Sequence, residues 1–440
     1  MSAEAASPSY STLIRFAIPV MLAAISTPLM GMVDTAVLGR LDNPAVIAAA
    51  GIGGTLFTVI YWCFAFLRFT TTALVAQAVG RNDRHEVLVA GLRAMLAAAV
   101  GGLALWLLQW PIGRSALHFL SPPSEVTPLA QQYFSARIWS APVTLLGYAQ
   151  FAWLMGQGRA RLVMLLQIAL NVLNAGLAVL YVLILHGGIA GAGWATVTSE
   201  TGICVVTSAL MLRMVPLAQW RAATSLIWER SAWRLLLGAN VDITLRTLLL
   251  TGAFALMTQR GAQMGILDLA ANQILMQAFL VVANLLDGFA SAAEVFGARA
   301  IGVGSRIGLR QIVRRSALLS LGWSALVSCG LWAVEPLYLT VMTSSPSLRI
   351  TAAAYWPWLI GLPMVCVWAF LWDGVFMGAM RTRTLRNTML CSVALYAPAL
   401  FMLSWLWGNH GVWAALTLLM GARSLFLTLA WPRLVASVGL

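Results

Sequence analysis

The sequence predicts an all-α integral membrane protein: twelve transmembrane helices in two parallel-repeat six-helix lobes around a central cavity. Three observations predict it. The chain of 440 residues is 60% hydrophobic and 9% charged, with a mean hydropathy of +0.85, whereas soluble domains carry about 25% charged residues. Its apolar stretches are continuous and reach the roughly 20 residues a helix needs to cross a bilayer. Continuity without alternation selects helices over a barrel. Finally, the chain repeats itself at an offset of 222 residues. Ala76-Gln77-Ala78-Val79-Gly80 with Arg84 returns as Ala298-Arg299-Ala300-Ile301-Gly302 with Arg306, and Tyr133 returns as Tyr355. Met155-Gly156 with Arg159 and Arg161 returns as Met377-Gly378 with Arg381 and Arg383. A period that long marks a duplicated domain rather than a solenoid.

In order, the spans fall at 14–38, 46–72, 88–110, 130–155, 162–185, 190–212, 235–258, 266–296, 312–334, 350–378, 386–407 and 411–431. Residues 1–212 form the N-lobe and 234–440 the C-lobe. A cytosolic linker at 213–233 separates them, where Pro216, Gln219, Arg221, Thr224, Ser225, Glu229 and Arg230 interrupt the apolar pattern. Six spans per half keep the second copy in the orientation of the first, so the lobes are related by an axis along the membrane normal. Gly187-Gly188 and Gly408-Asn409 make tight external turns, and a Pro-rich stretch from Pro111 to Pro128 is the longest outer connection. No segment outside the bilayer is long enough for a catalytic domain, and no enzyme activity is expected.

The 27 basic residues are all arginine. With the N-terminus in the cytosol, most of them fall inside, among them Arg81, Arg84, Arg159, Arg161, Arg221, Arg230, Arg310, Arg314, Arg315, Arg381, Arg383 and Arg386. Arg40, Arg114, Arg260 and Arg349 fall outside. The positive-inside rule therefore places both termini in the cytosol. The +13 net charge is a topology signal, and its scatter over short loops argues against a nucleic-acid partner. No cleavable signal peptide is expected, because the first apolar stretch is long and carries Pro19 and Pro28. The five cysteines, Cys63, Cys204, Cys329, Cys366 and Cys391, sit in apolar spans without metal-type spacing and read as packing residues. No metal site or cofactor is expected.

Carboxylates inside spans cost about 2.5–3.5 kcal/mol on the insertion scale and mark function by default. The candidates are Asp34, Glu200, Asp242, Asp287, Glu294 and Asp373. Asp34 follows Pro19 and Pro28, which remove backbone donors and favour a kink. Met30 and Leu38 flank it at i−4 and i+4, so no cation shares its helix face and it is suited to proton exchange. The alternative is that it lies near the outer end of the span and reaches water. On span five, Gln167, Asn171 and Asn174 share one face. They either orient a carboxyl or ion, or serve as interhelical hydrogen bonds.

On span eight, Gln273, Gln277, Asn284, Asp287 and Glu294 lie near one stripe facing away from lipid, with Glu294 close enough to the cytosolic end to be solvated. Asp242 and Arg246 at i, i+4 are expected to neutralise each other. Asp373 faces a central cavity or pairs with an in-span arginine such as Arg68 or Arg137. Gln273, Gln277, Asn284, Asp287 and Asp373 are the C-lobe candidates for substrate contact.

At these residues a resemblance emerges. Pro28-Leu29-Met30-Gly31-Met32-Val33-Asp34-Thr35-Ala36-Val37-Leu38-Gly39 and Arg68-Phe69-Thr70-Thr71-Thr72-Ala73-Leu74-Val75-Ala76-Gln77-Ala78 resemble the multidrug and toxic compound extrusion (MATE) family, in its DinF-like branch. So do Ala270-Ala271-Asn272-Gln273, Asp287-Gly288-Phe289-Ala290 with Glu294, Asp373-Gly374-Val375-Phe376-Met377-Gly378-Ala379, and Arg386-Asn387. The likeness covers nearly the whole chain in order. It implies a two-lobed exporter in a bacterial cytoplasmic membrane that uses a proton or sodium gradient to expel amphipathic, often cationic, small molecules. It also implies that Asp34 is the coupling carboxylate, that its protonation bends span one, and that Asn174 lies beside it. Where the family often has a second aspartate on span five, this chain has Ala178. A sodium site wants several oxygens and net negative charge, so the loss favours the proton as coupling ion.

Two other transporter readings stand beside it. One is a major-facilitator protein, faintly suggested by Gly80-Arg81-Asn82-Asp83-Arg84, whose spacing is one residue short. The other is a lipid-linked precursor flippase of the same superfamily, which would want a cationic cavity. A membrane enzyme would need clustered histidines or acids, and His85, His118, His186 and His410 are dispersed. A monomer is sufficient for the transport cycle, with substrates and the bilayer as its partners.

Overall fold

In an apolar medium a spanning segment must satisfy its backbone polar groups internally. A computed structural model describes residues 8–439 other than 42, 121 and 122, and leaves aside the side chains of 27–30, 32, 44 and 117–120. The described residues are helical and contain no strand. In chain order the first-half helices are α1 (Tyr10–Gly39), α2 (Pro44–Trp62), α3 (Phe66–Gly80), α4 (Arg84–Leu107), α5 (Gln109–Leu120), α6 (Thr127–Arg137), α7 (Ala141–Gly156), α8 (Ala160–Ala178) and α9 (Gly188–Met214). After a short α10 (Leu217–Ala223) come α11 (Arg230–Met264), α12 (Ile266–Gly302), α13 (Arg306–Met342), α14 (Pro346–Gly378), α15 (Thr382–Trp407) and α16 (Asn409–Ala436). Among the described residues ten helical stretches are long and apolar enough to cross a membrane, and Tyr10–Ser26 is a shorter apolar one. With α1 and the run through α6 and α7, the fold is the expected twelve-helix membrane protein.

Three first-half spans are less regular than their apolar sequences suggest. The 46–72 span breaks at 63–65, where the N–H groups of Cys63, Phe64 and Ala65 bond to carbonyls three residues back. The 130–155 span breaks at a 3-10 turn, Ile138–Ser140, just before Pro142, which has no N–H to donate. Beyond α8 the chain widens into a π-helix, Val179–Ile184. The connection expected as a Pro-rich loop is largely the helix α5, with Pro111 in its first turn, where a missing N–H costs nothing. By contrast α12, α13 and α14 run unbroken for 37, 37 and 33 residues, through Pro336, Pro357 and Pro363.

The chain forms two compact units. One is Leu22–Asn240; the other joins the segment through Met21 to Val241–Leu440. In the first, Trp153 is fully buried, donates to the Val87 carbonyl at 3.0 Å and packs on Trp220. The buried Arg93 guanidinium there holds the segment after α10, bonding to the Leu226 and Ile227 carbonyls and pairing with Glu86 and Glu229 at 3.1 Å each. The second unit is built around Trp356, Trp413, Tyr396 and Phe279. The start of α1 belongs to it, with Ala17 and Met21 against Phe289 and Phe16 edge-on to Phe296.

The duplication is written in the backbone. Left-handed residues recur at the same 222-residue offset: Asn82 and Gly304, Gly158 and Met380, His186 and Gly408. Helix contacts recur too. A Cβ on Gly156 would lie 2.8 Å from the Thr72 carbonyl, and one on Gly378 would lie 2.4 Å from the Glu294 carbonyl. Both partners are shifted by the same offset, so the α3–α7 crossing reappears as the crossing of α12 with α14. Small residues allow this approach, as is usual between helices in membranes.

Candidate coupling site

Asp34 sits in the last turns of α1, half-buried, and no hydrogen bond or ion pair joins it to another described residue. Pro19 is buried within the same helix, while the side chain of Pro28 lies outside the described residues. Eight residues before Asp34, Ser26 accepts from the Asn171 amide at 2.7 Å, and Asn171 in turn accepts from Gln167 at 3.2 Å. Asn174, on the same face of α8, donates toward Thr196 and Ser199 of α9 at 3.2 Å each, and its own oxygen is buried without a partner. The amide face therefore acts as interhelical bonding, tying α8 to α1 and α9.

Next to Ser199 stands Glu200, in a polar cluster whose members the sequence scatters over four helices. Glu200 accepts from the Thr144 hydroxyl of α7. The Thr144, Ser140 and Tyr61 oxygens lie 3.1–3.4 Å from one another. Arg137, at the end of α6, donates to the Tyr133 hydroxyl at 2.7 Å and lies over the Phe57 ring at 4.8 Å. Its Nε is buried with no hydrogen-bond partner. Among the described residues no hydrogen bond or ion pair joins this guanidinium to a carboxylate. Glu200 was legible as an in-span acid. Its bond to Thr144 was not, because no local spacing connects α7 to α9.

In the second unit the acids are handled differently. Asp242 does not pair with Arg246, one turn along its own helix. It accepts from Arg386 at 2.7 Å and Thr382 at 2.8 Å. Arg246 goes to Asp373, which also accepts from Arg423 at 2.6 Å. Spacing of i, i+4 brings Cβ atoms near each other, but packed helices offered both groups better-placed partners. Arg68 and Arg137, the partners considered for Asp373, are replaced by Arg246 and Arg423. Glu294, expected to be solvated, is 7% exposed, because it lies where α12 meets Gly378 of α14. The α12 stripe does not converge: Gln273 and Gln277 are exposed, Asp287 is half-buried, and Asn284 donates to the Leu280 carbonyl of its own helix at 2.9 Å.

A duplicated, polytopic helical protein with ionisable groups held inside its spans is built as a membrane transporter is built. Comparison with known proteins gives the family. The MatE family model matches residues 19–180 and 243–402, one segment in each repeat. The chain is 35% identical over 434 residues to DNA damage-inducible protein F of Escherichia coli K12, covering 97% of this chain and 92% of that protein. It is 30% identical over 329 residues to a probable multidrug resistance protein NorM of Bradyrhizobium diazoefficiens, covering 72% and 68% of the two chains. The crystal structure of the Vibrio cholerae MATE transporter VcmN in its bent form superposes with a TM-score of 0.87 at 20% identity, over 99% of this chain and 98% of that one. The chain belongs to the MatE family of multidrug efflux transporters, in the DinF-like branch, and is an integral multi-pass membrane protein.

Proposed function

We propose that the protein is a secondary active exporter of amphipathic, often cationic, small molecules, driven by proton influx through Asp34 as access alternates between the two membrane faces. One contrast carries this reading. Asp242 and Asp373 are each clamped by arginine, whereas Asp34 has no bonded partner among the described residues. An in-span carboxyl that is half-buried and unclamped can change its charge without dismantling an ion pair. Protonating it removes a charge that is costly at membrane depth, which supplies a differential interaction between two conformations. Both termini would face the cytosol, and a monomer would complete the cycle.

The energy is adequate. One proton moving down a total driving force of about 150 mV provides about 3.5 kcal/mol, enough for a concentration ratio of a few hundredfold. Sodium is the less favoured ion because Ala178 supplies no second carboxylate on α8. Substrate uptake into everted vesicles at a fixed pH gradient, with and without sodium, tests the choice. Uptake should persist in sodium-free buffer and collapse with a protonophore; a strict sodium requirement would overturn the assignment.

A further inference from the structure

From the end of α9 to the start of α11 the chain carries Arg213, Arg221, Arg230 and Arg234 against a single acid, Glu229. That acid is already occupied. Glu229 pairs at 3.1 Å with Arg93, whose buried guanidinium also holds the Leu226 and Ile227 carbonyls. The four arginines are exposed, and no hydrogen bond or ion pair joins their side chains to another described residue. Apolar side chains are exposed among them. α10 docks through Trp220, packed on Trp153, and through Ala223, both buried, which leaves Leu217 outward. Beyond α10, Leu226 is 48% exposed and Trp228 74%. Trp228 is nonetheless held in place: its ring stacks on Trp233 at 6.4 Å, and Trp233 donates to the Ile227 carbonyl at 2.8 Å. At both ends the segment continues into exposed apolar surface of the flanking helices, Val206 and Leu212 before Arg213, and Leu235 and Leu237 after Arg234. Fixed tryptophan and arginine at the end of a span suit the headgroup layer, where the ring and the arginine stem lie against acyl chains and the charged head reaches the phosphates.

We propose that residues 213–234 form an interfacial surface that binds anionic phospholipid, with the arginines on headgroup phosphates and Leu217, Leu226 and Trp228 in the acyl boundary. Charge complementarity selects the occupant. Four basic residues clustered beside a span are the pattern that recognises anionic lipid, and the guanidinium fork matches phosphate oxygens in pairs. Arg93 is the positioning residue: its buried pairing keeps Glu229 from neutralising the exposed arginines and fixes the backbone that presents Leu226 and Trp228. A soluble acidic partner would satisfy the charges, but a bilayer also covers the apolar surface that runs on into α9 and α11. Near an anionic surface each arginine strengthens the attraction about fivefold. The proposal is independent of Asp34 and of the coupling ion.

The test reconstitutes the full chain in phosphatidylcholine vesicles with and without phosphatidylglycerol, one or the other lipid carrying bromine on its acyl chains. Bromine quenches tryptophan at contact, so the difference between the wild type and Trp228→Phe isolates the signal of Trp228. Brominated phosphatidylglycerol should quench Trp228 several-fold more than brominated phosphatidylcholine, and added salt should shrink the excess. Equal quenching by the two lipids would overturn the proposal. Quenching by neither would place the surface in water, open to a soluble partner, and would overturn it as well. Combining Arg213→Gln, Arg221→Gln, Arg230→Gln and Arg234→Gln should abolish the excess, and lysine at the same positions should keep most of it. A matched variant combining Arg310→Gln, Arg314→Gln, Arg381→Gln and Arg383→Gln removes as many exposed charges from other turns and should leave the excess intact. If it loses the excess equally, the attraction is one of net charge and the assignment to this surface fails. The lipid comparison on the wild type and Trp228→Phe requires no arginine variant, so a misfolded quadruple variant leaves the test standing.

Discussion

Asp34 in the first unit and Asp373 in the second are the same side chain inside the same duplicated fold, and their surroundings differ in kind. Asp373 is gripped by Arg246 and Arg423, the latter 4% exposed. Asp34 is half-buried and has no bonded partner among the described residues. The offset that reproduces the left-handed turns and the Gly156 and Gly378 contacts does not reproduce these charges. Leu256, Leu359 and Ala422 stand where Asp34, Arg137 and Glu200 would recur; Ala24, Phe151 and Thr201 stand opposite Arg246, Asp373 and Arg423. Duplication kept the helix crossings and let the electrostatics diverge. The helices diverged likewise, with a turn, a 3-10 turn and a π-segment interrupting first-unit spans while α12 to α14 run on. On the proposed mechanism the two units divide the labour: the first changes charge at Asp34, and the arginine-clamped acids of the second stay fixed.

The sharpest way to break that comparison is to neutralise each acid in turn. Asp373→Asn leaves the buried Arg423 and the half-buried Arg246 guanidinium groups facing each other, and removing one partner of a buried pair costs about 3–5 kcal/mol. Thermal melting in detergent should drop severely and membrane yield should fall with it. Asp34→Asn removes no bonded partner and should melt like the wild type. Equal melting of the two variants would erase the distinction between a clamp and an exchanger.

Packing provides the next contrast. A Cβ on Gly374 would lie 2.1 Å from the Ala290 carbonyl, and backbone cannot yield as a side-chain tip can. Gly374→Ala is expected to destabilise by about 1–3 kcal/mol or more. Gly31, in α1, has nothing within 4 Å of its Cβ position, so Gly31→Ala should leave stability unchanged or slightly improved, helped by helix propensity. A normally folding Gly374→Ala would mean that α12 and α14 are not in close backbone contact at this crossing.

Asn174→Ala should cost about 1 kcal/mol through its lost bonds to Thr196 and Ser199, read by thermal melting. A neutral result would show that α8 and α9 do not depend on this amide. The smallest effect concerns backbone equivalence. Met380 adopts φ 54° where the first repeat has Gly158 at 82°. Met380→Gly should stabilise by less than about 1 kcal/mol, because glycine carries no penalty there. A loss of stability would mean that the Met380 side chain does more than occupy a turn.

Span number and the duplication were legible in the sequence because both rest on local or repeated signals: uninterrupted apolar length and motifs at a fixed offset. Asp34 was legible as an acid with no cation on its own helix face. What failed was pairing. Asp242 and Arg246 looked like partners because sequence sees one helix at a time, whereas Arg386, Arg423 and Asp373 arrive from three others. The breaks at 63–65 and 179–184 carry no proline at the irregular positions and were invisible for that reason. The break at 138–140 is marked in the sequence by Pro142, which has no N–H to donate. Arg137 is legible as an in-span cation, but its contacts, the Tyr133 hydroxyl and the Phe57 ring, replace the acid that an in-span arginine leads one to expect.

On the proposed mechanism one carboxylate in the first helix, Asp34, converts a proton gradient into export. This is tested most directly by reconstituting the wild type and Asp34→Asn in sodium-free proteoliposomes and recording proton movement and substrate movement together. The wild type should carry substrate against its gradient with coupled proton counterflow. Asp34→Asn, intact by melting temperature, should show neither. Undiminished, gradient-driven counterflow in that variant would rule out Asp34 as the coupling group.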